Sequence, residues 1–187
     1  MPSWVAIANL ALTHLGTERI TALTDAGAAA RAVAATYELV RDAVLREHPW
    51  NCALARTRLA AELEAPAFGF AFRYTLPADP YCLRVLALGE GSAAWALEGR
   101  HLLTDHAPPL PVRYIARVSD PALFDAALVP ALAARLAHAI AYAIVQSREA
   151  EAAMWTLYQQ LLRTARSLDG KEGPPQQRLS GFVAARY

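Results

Sequence analysis

The spacing of apolar residues changes twice along this 187-residue chain, and that double switch limits the fold more than any other feature. Up to about residue 50, apolar side chains recur every three to four positions, the spacing of one helical face. Phe68, Phe70, Phe72 and Tyr74 then alternate with Gly69, Ala71 and Arg73, the period-two mark of a half-buried strand. Helical spacing returns near residue 120. The expectation is an α+β protein. An antiparallel bundle of about four helices (1–50 and 120–168) is interrupted by a small, mostly antiparallel β-sheet (51–119). An extended C-terminal arm (169–187) follows.

Local signals place the elements. Ser3 reads as an N-cap and Gly16 as the residue just past a first helix, with Ile7, Leu10, Ala11 and Leu15 near one face. Asp25 is placed to cap a second helix over 27–47. Val33, Tyr37, Val40, Val44 and Leu45 form its apolar stripe, while Arg31, Glu38, Arg41 and Asp42 face elsewhere. Glu38–Arg41 and Asp42–Arg46 are helix-spaced ion pairs. Pro49 stops this helix about His48. Strands are expected at 83–88 and 112–118, with a hairpin of 94–97 and 100–103 around Glu98-Gly99. Asp120-Pro121 opens another helix, which Pro130 should kink or restart. Leu132, Leu136, Ile140 and Ile144 recur every fourth residue beside Ala133, Ala137 and Ala141, so that helix is covered on more than one side. A last helix over 148–168 turns Met154, Leu157, Tyr158, Leu161, Leu162 and Ala165 inward.

Composition narrows the function classes. Hydrophobic residues make up 55% and charged residues 19%, the balance of a folded chain. A formal charge of +1 disfavours tight duplex binding through surface charge. Cys52 and Cys82 are too few for a disulfide framework and form no CxxC pair. The N-terminus lacks the basic stretch and cleavage site of a secretory signal. The longest apolar stretch, 122–145, contains Arg135 and His138, so no membrane segment is expected.

Chemistry is hard to find. His101, His106 and Asp105 match no zinc-ligand spacing, and Pro49 separates His48 from Cys52. His14 and His138 read as satisfied polar groups in helices. No nucleophile elbow, phosphate loop or HExxH occurs. Glu62, Glu64 and Glu98 offer carboxylates of the kind glycoside cleavage uses, but acidic residues beside strands are usually solvated. The expectation is a protein that is not an enzyme, with no catalytic residue, cofactor or metal. Trp50 reads as core. Trp95 is either an exposed contact residue or packed beneath the sheet, and the sequence does not choose between them.

The last residues are unusual. A turn-prone linker (Gly170, Gly173, Pro174, Pro175) precedes Arg178, Leu179, Phe182, Val183, Arg186 and Tyr187. These apolar and aromatic residues are too few to make a core of their own. The economical reading is an arm that orders on another chain, with a frayed terminus as its alternative.

Taken in order, several short motifs resemble a known family. They are Leu15-Gly16, His48-Pro49-Trp50-Asn51, Arg58-Leu59-Ala60, Tyr74-Thr75-Leu76-Pro77, Leu83-Arg84-Val85, Trp95 through Gly99, Leu103-Thr104-Asp105, Tyr114-Ile115 and Leu136-Ala137. The series resembles the tail tubular protein A, or head-to-tail adaptor, family of short-tailed bacteriophages, across essentially the whole chain. Pro80-Tyr81 departs from the pattern at one turn. The resemblance implies a structural virion protein of the tail or neck, assembled in the host cytoplasm. It implies a ring of self-copies, typically a dodecamer, that joins the portal protein to the tail nozzle protein. Double-stranded DNA passes through the ring without specific binding. The resemblance also implies that Arg178 to Tyr187 engages the portal, and that the inserted sheet faces the nozzle near Gly91, Trp95 and Asp105. Two other classes stand beside it: a small cell-wall glycan hydrolase of the tail, and a host-derived scaffold domain.

Overall fold

Helix α1 (Trp4–His14) begins where Ser3 turns its hydroxyl back to accept from the Ala6 N–H at 3.1 Å, and ends where Gly16 takes a left-handed φ of 66°. The computed structural model describes residues 2–89 and 94–172. After α1 come α2 (Ala28–Glu47), β1 (Leu54–Leu59), β2 (Phe72–Thr75), β3 (Cys82–Leu88), β4 (Trp95–Glu98), β5 (His101–Thr104) and β6 (Leu110–Ala116). Helices α3 (Leu128–Val145) and α4 (Arg148–Asp169) complete the bundle. The fold is α+β, with four helices and two small antiparallel sheets. The expected arm from Gly173 to Tyr187 lies outside the described residues.

The main core lies among the helices. Helix α3 packs against α1, α2 and α4, and its alanines 131, 133, 134 and 137 are buried there. Alanine lets helix backbones approach closely, and these four let α3 sit deep among its neighbours. By length and composition α3 could cross a membrane, but it is the central helix of this bundle. Trp50 is fully buried and donates its indole N–H to the Val44 carbonyl at 3.0 Å, fastening the chain as it leaves α2.

A second, smaller core lies between the two sheets. One sheet has the order β1-β6-β3 and the other β2-β5-β4, all neighbours antiparallel. Val112 and Tyr114 of β6 meet Tyr74 of β2 and Leu102 of β5 there. Ile115, on the opposite face of β6, is buried in the helical core, so this strand ties the two regions together.

Several expectations change. Asp25 does not cap α2; Gly27 holds that position without a side-chain bond. The Asp25 carboxylate instead accepts from the Thr21 and Ala22 N–H groups at 2.8 and 3.1 Å, which holds its carboxyl below the usual range. Arg41 is not outward-facing but 4% exposed. Its Nε donates to Asp42 at 2.8 Å, and Asp42 pairs with Arg117 at 2.5 Å instead of with Arg46. A partner more than seventy positions away outcompetes the local one, and spacing cannot reveal it. The strand expected over Phe68–Tyr74 exists only from Phe72, and Phe68 stands in the preceding loop. The hairpin loop sits one residue later, at Gly99-Arg100, because Gly99 supplies the left-handed φ of 59°. Asp120 and Pro121 start only a short 3-10 turn, while Pro130 lies within the first turn of α3, where its missing N–H costs nothing.

Candidate interaction surfaces

Asp169 was grouped with the arm by its place beside the linker, but it is the last residue of α4 and 4% exposed. Its carboxylate accepts from the Asn51 N–H at 2.9 Å and lies 3.0 Å from His48 Nε2, while its carbonyl accepts from the Asn51 side chain at 2.7 Å. The His48-Pro49-Trp50-Asn51 turn therefore clamps the end of α4, just where the linker begins. The clamp was not legible in the sequence because its halves lie 118 residues apart. The expected portal-binding residues Arg178, Leu179, Phe182, Val183, Arg186 and Tyr187 fall outside the described residues, as does Gly91.

The other two nozzle-facing candidates are described. Trp95 opens the edge strand β4 and shares its face with Leu97; they are 38% and 45% exposed. The register sets Trp95 opposite Thr104 and Leu97 opposite Leu102, so this face is the one that meets the small core. Both readings of Trp95 are partly met: it lies on the packed face but overhangs the edge. Asp105 accepts from the Ala71 N–H at 2.8 Å and pins the end of the long β1–β2 loop. That loop carries Leu63 and Phe68, whose relative exposures are 106% and 88%. Sequence reading missed both as contact residues. The available signal was Pro66 and Gly69, which interrupt a strand there, since a large apolar side chain in a loop has no core to enter.

Of the candidate carboxylates, Glu62 is occupied, and Glu64 stands exposed 3.5 Å from Arg73. Glu62 accepts hydrogen bonds from Thr75 and Arg73, and His101 Nε2 stands 3.3 Å away. The Thr75 hydroxyl, with Arg73 and His101, holds the Glu62 carboxyl below its usual range. A general acid in glycoside cleavage needs the opposite shift. His106 Nδ1 lies 2.9 Å from the Ala107 carbonyl, and His138 Nδ1 lies 3.0 Å from the Glu151 carbonyl. Among the described residues, no three His, Cys, Asp or Glu side chains converge as a metal site would require. Cys52 and Cys82 are free, and burial pushes both thiols up, away from nucleophilic character.

The junction between the two regions is arginine-rich. The guanidinium groups of Arg100 and Arg117 stand 4.0 and 4.4 Å from the ring of Tyr81. Arg100 also donates to the carbonyls of Leu76, Pro77 and Cys82. Arg46 of α2 donates to the Leu83 carbonyl of β3. Arg46 on Leu83 and Arg117 on Asp42 tie the β region to the bundle, while Arg100 ties the β region to itself. No protein-family model matches the chain, and no curated protein matches it either.

Proposed function

We propose that this protein is a head-to-tail adaptor of a short-tailed bacteriophage, a virion ring subunit between portal and tail nozzle. The observation that carries the reading is where the family-like motifs fall. Leu15-Gly16 is the stop of α1. His48 through Asn51 is the clamp on α4, and Tyr114-Ile115 is the strand shared by both cores. Each of these motifs lies where one element is joined to the next or to the other core.

Uncovered apolar surface supports the reading. On α2, Ala35, Leu39 and Ala43 are exposed at four-residue spacing, with Leu39 at 73%. Leu63 and Phe68 are exposed in the β region. A closed ring needs two different patches per subunit, and an adaptor needs further faces for unlike neighbours. In this reading the segment from Arg178 to Tyr187 engages the portal. Trp95 and the loops near Gly91 and Asp105 face the nozzle, and DNA passes without specific contact. The ring works without cofactor or enzymatic activity.

Density-gradient sedimentation with the portal protein tests the proposal. The full chain should co-sediment with the portal, and a chain lacking residues 178–187 should stay at the top with unchanged circular dichroism. Free sedimentation of the full chain beside the portal would refute the adaptor reading.

A further inference from the structure

The sheet β1-β6-β3 has one face divided between two environments. Arg113 lies on the same face of β6 as Ile115, opposite to Val112 and Tyr114. Ile115 is covered by the helical core, so the bundle roofs this face at one end only. The unroofed end carries Arg56 and Arg58 of β1 and Arg113 of β6, lining a groove of about 480 Å³ with Ala87 and Pro111.

The register sets Arg56 directly opposite Arg113. Like charges so placed repel, which makes the arrangement unfavourable without an anion between them. Among the described residues, none of these three arginines has a carboxylate within ion-pair distance. Charged side chains on an edge strand guard it against unwanted pairing, and that alone would explain Arg56 and Arg58 on β1. It does not explain Arg113, which lies on the central strand with its Nε buried and, among the described residues, without an acceptor. A buried guanidinium donor left unmatched is costly, and a carboxylate is its natural acceptor.

We propose that this face binds an extended acidic segment of a partner protein, laid along β1 with carboxylates on alternate residues. Alternate residues of a strand lie roughly 6.6–6.8 Å apart, so such a segment matches Arg56 and Arg58 in step. The outer edge of β1 pairs with no strand among the described residues, so the segment's backbone can add to it. No aromatic side chain lines the groove, so the stacking platform that single-stranded nucleic acid uses is missing. Among the described residues, the acids of the chain itself do not fit, and Glu90 lies outside the described residues. Glu62 is turned inward to Arg73 and Thr75, and Glu149 and Glu151 lie in a helix. The inference stands apart from the adaptor reading, since it needs only the groove and its charges.

Fluorescence anisotropy with a short labelled peptide alternating glutamate and valine tests it. The glutamate peptide should bind, more weakly as salt rises, and its glutamine counterpart should not. Arg56→Glu with Arg58→Glu should weaken binding by roughly tenfold or more at an unchanged melting temperature. Arg113→Lys, which keeps the charge but loses the planar fork, should weaken it by a few fold. Equal binding of both peptides, or no change in the variants, would overturn the proposal. So would displacement of the peptide by a duplex oligonucleotide at lower concentration than unlabelled peptide requires.

Discussion

The bundle and the β region solve the same problem of cohesion by different means. The bundle relies first on apolar packing, with a polar clamp only at the end of α4: α3 is enclosed by three helices, and Trp50 closes the core where α2 ends. The β region has the smaller core and adds polar ties: Glu62 with Arg73 and Thr75, Tyr74 with the His106 carbonyl, Arg100 with three carbonyls. Apolar burial does not depend on pH and is not weakened by charge screening, whereas ion pairs respond to both. The β region also carries the most exposed large apolar residues, Leu63 and Phe68. The comparison teaches a division of labour in which the bundle holds and the β region presents.

The contrast can be broken by mutation, beginning in the bundle. Trp50→Ala should cost about 3–5 kcal/mol in urea denaturation, because it opens a cavity and orphans the Val44 carbonyl. A cost near that of a surface change would deny the bundle its leading place. Asp169→Asn should cost about 1–3 kcal/mol, since the Asn51 N–H and His48 lose their shared carboxylate. Limited proteolysis should then cut sooner near the end of α4.

Smaller effects sharpen the β side. Tyr74→Phe removes the 2.6 Å bond to the His106 carbonyl and should cost about 1 kcal/mol. Glu62 gives a test by pH. Its folded carboxyl titrates lower than in the unfolded chain, so its contribution is complete above the ordinary glutamate range. That contribution is lost as pH falls through the lowered folded value. Melting temperature across acid pH should therefore fall less steeply for Glu62→Gln than for wild type. Leu63→Ser with Phe68→Ser should leave stability within about 0.5 kcal/mol, because neither side chain is packed.

What could be read from sequence follows the range of the interaction. Ser3, Gly16 and Pro49 act on their immediate neighbours, and the helix ends they mark are where they were expected. The face of α2 was legible from Val33 to Leu45, except for Arg41, whose burial depends on Trp4 and Asp42 around it. Strand β1 was missed: LARTRL alternates, but its arginines sit on a face that the bundle leaves open. Asp169 was misplaced because proximity to a linker is a weaker signal than a partner in space. Of the exposed apolar residues, Phe68 was hidden because it opens a run read as strand, and Leu63 because nothing in its spacing marks it.

Electron microscopy of the protein mixed with a portal protein, the partner the proposed adaptor function requires, tests the account most directly. The account predicts a closed ring with the bundle toward the portal, residues 178–187 on portal subunits, and Phe68 and Trp95 on the side away from it. A chain that stays monomeric beside the portal, or a ring whose β region faces the portal, would contradict it.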